Sequence, residues 1–179
     1  MTIAKILEKD ATLSQRLRVA EQPGALRNFS AFLAHSGDSW VWLAALPFVW
    51  WFGNDNWKYR AIILFVAIFI TATIVMALKF TIRRQRPEGD WGQIYRKTDP
   101  HSFPSGHAAR GMLIGVLAWG LGPAWFGWVL IIWGPLVGLA RIAMGVHYVS
   151  DVLAGWVVGA VMGIISYMFL PQMLSVFNF

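Results

Sequence analysis

The sequence predicts an all-α protein, a polytopic membrane helix bundle of about five to six transmembrane helices with an N-terminal amphipathic helix. Hydrophobic residues make up 57% of the 179 residues and charged residues only 13%, whereas about a quarter of a typical soluble domain is charged. The apolar residues form long runs separated by short polar loops, as in helices that cross a bilayer. Eleven tryptophans and twelve phenylalanines suit the lipid headgroup region.

The chain divides into an N-terminal segment, residues 1–36, and a membrane domain, residues 37–179. In the N-terminal segment, apolar residues such as Leu13 and Leu17 recur at helical spacing among basic residues, which predicts an amphipathic helix. This helix lies either in the membrane interface or in solvent. The chain has no cysteine, which excludes a disulfide framework and thiolate chemistry.

Five apolar runs in the membrane domain predict the spanning helices. They cover residues 40–52, 61–78, 111–121, 124–140 and 152–170. The third helix is expected to begin near Ser105. Because proline disrupts helices, we expect Pro47 to interrupt the first run and Pro171 to end the last.

Small residues in the last run predict close helix packing. They recur every fourth residue, at Gly155, Gly159 and Gly163, and this spacing lets helices approach one another, either inside the bundle or in a homodimer. The net charge of +6 would suit nucleic acid if the protein were soluble. Here the basic residues lie in loops between apolar runs, so phosphorylated membrane lipids are the expected partners and nucleic acid is not.

Three polar clusters lie between the apolar runs, at residues 79–87, 103–107 and 141–151. The first cluster follows the second run, the second precedes the third run, and the third separates the last two runs. Because consecutive spans alternate in direction, all three clusters are expected at the same membrane face. The sequence therefore predicts one shared site.

The first cluster predicts a pair of phosphate-binding cations. Lys79 and Arg86 are seven residues apart, so a second span extended to Pro87 would point both side chains to one side. Two cations so placed can neutralise phosphoryl oxygens. The alternative is a basic anchor for lipid headgroups, which is the role expected for Arg83 and Arg84.

The second cluster, Ser105-Gly106-His107, predicts a helix start that binds an anion. Ser105 can cap the third span, and the free amides of a helix start bind anions. Gly106 lets a ligand approach the backbone closely, and His107 can give a proton to a leaving group near neutral pH. The alternative is an ordinary capped helix with a histidine at the interface.

The third cluster predicts a nucleophile. His147 and Asp151 are four residues apart, so on one helix face the carboxylate can orient the imidazole and leave its other nitrogen to act as nucleophile or base. Arg141 adds a bidentate group for phosphate. Ionisable groups near a bilayer are costly and usually functional, although a structural salt-bridged turn is the alternative.

Metal chemistry is not expected. No ligand spacing such as HExxH occurs, and the histidines are matched with cations that would repel a divalent ion. We therefore expect neither a metal nor another cofactor. His35 and His101 are predicted to be surface histidines, and Arg110 to lie behind the site or at the headgroups.

Together, the three clusters resemble the motifs of the type 2 phosphatidic acid phosphatase superfamily. The pattern is Lys79 with six residues before Arg86-Pro87, then Pro104-Ser105-Gly106-His107, then Arg141 with five residues before His147 and three before Asp151. All three match in order and spacing over residues 79–151, and the helical pattern extends the likeness to about residues 38–170. That superfamily includes membrane lipid phosphate and undecaprenyl pyrophosphate phosphatases, soluble acid phosphatases and vanadate haloperoxidases.

The resemblance implies an integral-membrane phosphatase for a lipid phosphate or pyrophosphate ester, of the phosphatidic acid, phosphatidylglycerol phosphate, undecaprenyl pyrophosphate or lipid A type. His147 would form a phosphohistidine with Asp151 orienting it, and His107 would protonate the leaving oxygen and then activate water. The groups that would hold the phosphoryl oxygens are Lys79, Arg86, Ser105, the Gly106 amide and Arg141. Ala140 stands where the family usually has Ser, which removes one hydroxyl donor.

Two other functions stay open. The same phosphohistidine would serve a phosphotransferase that passes phosphate to another lipid, and the cations alone would serve a non-catalytic lipid-phosphate binder or transporter. His107 and the His147–Asp151 pair argue against the binder, because binding needs only the cations. A haloperoxidase is not expected, since those relatives are soluble.

The distribution of basic residues and the family resemblance predict opposite sides of the membrane for the site. Ten basic residues outside the motifs lie on the site face and only Lys58 and Arg60 on the opposite face, so the positive-inside rule places the site in the cytoplasm. Bacterial relatives usually act on the outer side of the inner membrane. We expect a bacterial inner-membrane protein whose site faces the periplasm or the exterior.

Overall fold

A computed structural model describes residues 2–89 and 91–175, and it confirms the predicted all-α class. The helices are α1 (Ile3–Arg16), α2 (Ala25–Ser36), α3 (Ser39–Phe52), α4 (Asp55–Ile82), α5 (Gln93–Thr98), α6 (Gly106–Leu121), α7 (Ala124–Ala143) and α8 (Val149–Ser175). Within the described ranges, the only β-type pairing is an isolated antiparallel bridge between Gln85 and His101.

Helix α6 lies at the centre of the bundle and packs against α4, α7 and α8. Its close contacts depend on glycine. A Cβ at Gly111 would lie 2.9 Å from the carbonyl oxygen of Gly134 on α7. On α8, a Cβ at Gly155 would lie 2.6 Å from the carbonyl oxygen of Ser105, and one at Gly163 would lie 2.8 Å from Val116. These glycines therefore bring three backbones together within one chain.

The regularly spaced glycines of α8 are used inside the bundle. Gly159 follows the same pattern, because a Cβ there would collide with the carbonyl group of Ala109 on α6. Internal packing was one of the two uses predicted for this spacing. A homodimer through the same three glycines stays a prediction.

Within the part of the chain that the structure describes, three helices are long and apolar enough to cross a bilayer, namely α4, α7 and the Val149–Gln172 part of α8. Helix α3 has 14 residues and α6 has 16, which is fewer than the roughly 20 residues that a span needs. By length and composition, fewer of the described helices qualify as membrane spans than the five to six that were predicted. The outward surface is nonetheless strongly apolar, with Phe69 68% and Val157 64% exposed, as a lipid-facing surface would be.

Two prolines do not act as predicted. Pro47 lies inside α3 and Pro171 inside α8, so neither one ends its helix. A proline removes one N–H donor from a helix, and membrane bundles tolerate this loss because neighbouring groups and local adjustments satisfy the freed carbonyl.

The predicted extension of the second span to Pro87 is wrong. Helix α4 ends at Ile82, where Arg83 adopts a left-handed conformation with φ 53° and its N–H bonds the carbonyl of Lys79. Such a residue terminates a helix. The chain then continues as an extended segment, with the Ser102 N–H donating to the Arg84 carbonyl at 2.8 Å.

The N-terminal segment forms two helices. Helix α1 packs against the start of α8, and α2 packs against α7. Helix α1 is the predicted amphipathic helix, since Leu7 and Leu13 are 49% and 48% exposed on it while Ser14 is buried. The C-terminal ends of α4 and α7 and the N-terminal ends of α6 and α8 carry the three predicted clusters, which meet at one end of the bundle.

Candidate active site

A cavity of about 260 Å³ opens at this end of the bundle. Six of the predicted site residues line it: Lys79, Arg86, Gly106, His107, Arg141 and His147. Ser105 and Asp151 are fully buried directly behind this wall, with the Ser105 N–H donating to the Asp151 carbonyl at 2.9 Å. The structure thus brings together residues that lie up to 72 positions apart, from Lys79 to Asp151.

The guanidinium of Arg141 is the least satisfied polar group of the cavity. It is fully buried, and its central carbon lies 4.3 Å from the centre of the Tyr95 ring. None of its three nitrogens has a hydrogen-bond partner among the described residues. A buried cation without an acceptor is costly. Arg141 is therefore the strongest indication that the cavity binds an anion.

Lys79 and Arg86 converge although they do not share a helix. Lys79 Nζ and Arg86 Nη2 each lie 2.7 Å from the same carboxylate oxygen, Oδ2 of Asp99. Arg86 Nη1 also donates to the carbonyl of Val146 at 3.0 Å. Two cations that share one anionic oxygen can share a phosphoryl oxygen in the same way. The extended segment after α4 therefore brings Arg86 next to Lys79, as the continuous helix was expected to do.

His147 is held as a neutral imidazole. Its Nε2 lies 3.0 Å from Arg86 Nη1, and because a guanidinium only donates, Nε2 carries the lone pair and Nδ1 the proton. Burial, followed by the positive charges of Arg86, Arg141 and Lys79, lowers the pKa of His147 well below its usual value of 6.5. A neutral Nε2 facing the cations can act as a nucleophile toward an anion bound by them.

Asp151 lies beside His147, as predicted, but other groups hold it. Its Oδ2 is 3.5 Å from His147 Nδ1, which is long for a hydrogen bond. The same oxygen accepts the N–H of Tyr148 at 2.9 Å, and Oδ1 accepts from Arg84 Nη1 at 2.7 Å. The expected headgroup role of Arg84 is therefore wrong, because an acidic partner inside the protein engages it. Arg83 stays exposed.

His107 is oriented by a carboxylate that the sequence analysis did not identify. Its Nε2 lies 2.7 Å from Oδ1 of Asp38, which also accepts from the Tyr95 hydroxyl at 3.0 Å. Burial would raise the pKa of Asp38, but hydrogen bonds from His107 and His35 lower it below its usual value. An ionised Asp38 fixes the orientation of the His107 ring, as carboxylates do for catalytic imidazoles.

His35 is a surface histidine, as predicted, with a side chain that is 54% exposed. Its Nδ1 also lies 3.0 Å from Oδ2 of Asp38, so it belongs to the network behind His107. Asp38 precedes the first span, and counting crossings places it on the site face. That count was the signal that would have identified it. Tyr95 lies on the short helix α5 and Asp99 directly follows that helix, and no spacing in the sequence distinguishes them.

Three other predicted positions are placed as follows. Arg110 is 8% exposed, lines the cavity and donates to the Ser39 hydroxyl at 2.8 Å, so it lies at the site and ties α6 to α3. The ring of His101 packs edge-on against Phe80 with 5.6 Å between centroids. Ala140 is 4% exposed in a small apolar cluster with Met144.

The cavity joins a charged end to an apolar end. Beyond Lys79, its wall continues along α4 through four apolar residues, Ile68, Ala72, Val75 and Met76, with the buried Thr71 among them. Among the described residues, no group of three or more histidine and carboxylate side chains could hold a metal ion. The arrangement suits an amphiphile whose anionic head meets the cations and whose apolar part lies along α4.

The chain matches the family model of the PAP2 superfamily over residues 60–173. Among curated proteins, the chain is 29% identical over 143 residues to an undecaprenyl-diphosphatase of Sulfolobus acidocaldarius, covering 78% of this chain and 68% of that protein. It is 31% identical over 125 residues to undecaprenyl-diphosphatase BcrC of Bacillus subtilis, covering 68% of this chain and 63% of BcrC. A decaprenylphosphoryl-5-phosphoribose phosphatase of Mycobacterium tuberculosis is 29% identical over 151 residues, 82% of this chain and 81% of that protein.

Solved structures give the same likeness. The crystal structure of Aquifex aeolicus LpxE aligns with a TM-score of 0.71 at 27% identity, over 88% of this chain and 94% of that one. A transmembrane PAP2-type phosphatidylglycerolphosphate phosphatase from Bacillus subtilis aligns with a TM-score of 0.76 at 22% identity, over 96% of this chain and 88% of that one. The second likeness concerns the fold alone.

Proposed function

The chain belongs to the PAP2 superfamily and is an integral-membrane lipid phosphate phosphatase, and we propose that its substrate is a polyprenyl phosphate or diphosphate. The curated relatives reported above are named for polyprenyl substrates, which supports this choice. The observation that carries the proposal is the buried, unpartnered Arg141 guanidinium at the charged end of a cavity whose other end is apolar.

We further propose that catalysis passes through a phosphohistidine. His147 Nε2 attacks the terminal phosphorus while Lys79, Arg86 and Arg141 hold the phosphoryl oxygens. The bond from phosphorus to the leaving oxygen breaks, and that oxygen takes a proton from His107. The cations stabilise charge on the equatorial oxygens, which is most of what phosphoryl transfer requires of a protein.

The second step returns His147 to its starting state. Water attacks the phosphorus of the phosphohistidine and gives its proton to His107, the bond between phosphorus and Nε2 breaks, and inorganic phosphate leaves. No net proton is consumed by His107 over the cycle. Ser105 supports this site from behind, by capping α6 through its hydroxyl at 3.4 Å from the Ala108 N–H, and the free Gly106 amide is the proposed backbone donor to phosphate.

The site is proposed to face the periplasm or exterior of a bacterial inner membrane. The positive-inside count opposes this orientation, but several of the counted cations are engaged within the chain. Arg84 pairs with Asp151, Arg96 donates to the carbonyl of Pro87 at 2.9 Å, and Arg110 donates to Ser39. Cations held by such internal contacts have a structural role, so their presence on this face does not require the face to be cytoplasmic.

The test is phosphate release by the purified protein in detergent. The panel contains undecaprenyl diphosphate, undecaprenyl phosphate, phosphatidic acid, phosphatidylglycerol phosphate and a phosphorylated lipid A, each with and without EDTA. We expect the highest kcat/KM with a polyprenyl substrate, turnover unaffected by EDTA, and no turnover by His147→Ala.

Preference for phosphatidylglycerol phosphate or lipid A would overturn the substrate proposal and leave the mechanism intact. Loss of activity in EDTA that is restored by a divalent ion would overturn the metal-free mechanism. Transfer of phosphate to a second lipid in place of release to water would identify a phosphotransferase.

A further inference from the structure

Helix α1 is connected to the carboxylate of Asp151 through the side chain of Arg84. Asp10 of α1 places Oδ2 2.7 Å from Arg84 Nη2, and Arg84 Nη1 lies 2.7 Å from Oδ1 of Asp151. The side chains of Asp10 and Arg84 are 10% and 18% exposed, and that of Asp151 is fully buried. A row of carboxylate, guanidinium and carboxylate therefore runs from α1 to the residue beside His147.

The same helix also holds the backbone where α8 begins. Asp10 Oδ1 accepts the N–H of Ser150 at 3.0 Å, and the Ser14 hydroxyl accepts the N–H of Val149 at 2.9 Å. The first amides of a helix have no partner within it, and side-chain oxygens normally supply one. Here two of those acceptors come from α1, about 140 residues away along the chain, and they fix the turn that carries Asp151.

Arg84 is further constrained by an aromatic ring. Its central carbon lies 4.0 Å from the centre of the ring of Tyr148, the residue that follows His147. Arg84 therefore contacts the segment of the nucleophile through the Tyr148 ring and through Asp151. Neither Asp10 nor Arg84 lines the cavity, so neither is placed to touch the substrate.

Charge balance gives Asp10 a specific effect. Arg84 contacts Asp10 through Nη2, and both Asp151 and the Ser150 hydroxyl through Nη1, so the two carboxylates largely neutralise the positive charge near Asp151. Without the Asp10 charge, Asp151 would be left as the ionic partner of Arg84 and would be drawn from His147 Nδ1, which is already 3.5 Å away. The uncompensated cation would also disfavour a proton on His147.

We propose that Asp10 and Arg84 are positioning residues, through which α1 sets the place and charge of Asp151 and so orients the nucleophile. This inference rests on the proposed role of His147. It makes the N-terminal helix part of the catalytic apparatus although it contains none of the three motifs and lies outside residues 60–173, which the family model matches.

The test compares Asp10→Asn with two controls on α1. Glu8→Gln removes an exposed charge two residues away, and Ser14→Ala removes one α1–α8 hydrogen bond without touching Arg84. We expect Asp10→Asn to lower kcat roughly tenfold, the lower end of the loss caused by removing an outer partner of a metal-bound imidazole, with KM changed less than twofold. Glu8→Gln should behave as the unmodified protein.

A pH profile separates positioning from simple loosening of the fold. His147 faces Arg86, Arg141, Lys79 and Asp151, and the acid limb of kcat/KM reports its protonation in the free enzyme. Because Asp10→Asn leaves Arg84 uncompensated, that limb should move to lower pH. Ser14→Ala should leave the limb in place. The effect of Asp10→Asn should also disappear in an Arg84→Gln background, since Asp10 acts through Arg84.

Three results would overturn the inference: an unchanged kcat and acid limb in Asp10→Asn, an equal loss of kcat in Ser14→Ala without any movement of the limb in either variant, or additive effects of Asp10→Asn and Arg84→Gln. Retained turnover by His147→Ala would instead overturn the proposed mechanism itself. The two failures are therefore distinguishable within one set of variants.

Discussion

At the scale of single residues, the cavity combines an unsatisfied cation with a neutral imidazole. Arg141 is buried without an acceptor, while His147 stays neutral because burial and neighbouring cations lower its pKa. Each feature is unfavourable for stability by itself. Together they favour one ligand, an anion that neutralises the cations and lies against the lone pair of Nε2.

Arg141→Met is predicted to separate stability from binding. The substitution removes a buried charge that has no acceptor, so the ligand-free variant should be at least as stable as the unmodified protein. It should also lose most of the stabilisation by inorganic phosphate, which for a bound ligand at 100 times its Kd is about 2.7 kcal/mol. Thermal unfolding in detergent, with and without phosphate, measures both effects. A variant that phosphate still stabilises fully would contradict the assigned role of Arg141.

The pKa of His147 predicts the acid limb of activity. An imidazole with a lowered pKa keeps its lone pair as the pH falls past 6.5 and loses it only at more acidic pH. The acid limb of kcat/KM should therefore lie below pH 6.5, measured with a substrate whose own ionisation is known. A limb at or above 6.5 would mean that the cations do not act on the nucleophile as the geometry indicates.

At the scale of elements, the sequence predicted which segments are helical better than it predicted where those helices end. Helix α6, which contains the predicted third apolar run, begins at Gly106 with Ser105 as its cap, as predicted, because the cap and the start of the apolar run coincide. The end of α4 was missed, since a left-handed Arg83 has no signal comparable to glycine. Pro171 was misleading, because it lies inside α8, which continues to Ser175.

The glycines on α8 provide the element-scale prediction. A Cβ at Gly159 would collide with the backbone of Ala109 on α6, so Gly159→Ala must push the two helices apart. Overpacking of this kind costs about 1–3 kcal/mol, and the apparent melting temperature and activity should both fall. Val157→Leu is the matched control, because it adds one carbon to the lipid-facing side of the same helix, where Val157 is 64% exposed. Equal stability of the two variants would contradict the packing described for α6 and α8.

At the scale of the whole molecule, one argument from the sequence placed the site. Alternating crossings put three separate clusters on one face, and the structure brings all three to one end of the bundle around a single cavity. The same argument places Asp38 on this face and could have identified it. Asp99 and Asp10 are different, because a carboxylate in a loop or on an amphipathic helix has no distinctive spacing. Their roles depend on tertiary contacts between segments that are far apart in the chain.

The central claim is that His147 carries the phosphoryl group between the lipid and water. The direct measurement is rapid quenching of the purified protein during turnover of a polyprenyl diphosphate labelled in its terminal phosphate, followed by peptide mapping. We predict an acid-labile, alkali-stable label on the peptide that contains His147, and no label in His147→Ala. Label on another residue, or phosphate release by His147→Ala at the rate of the unmodified protein, would contradict the account.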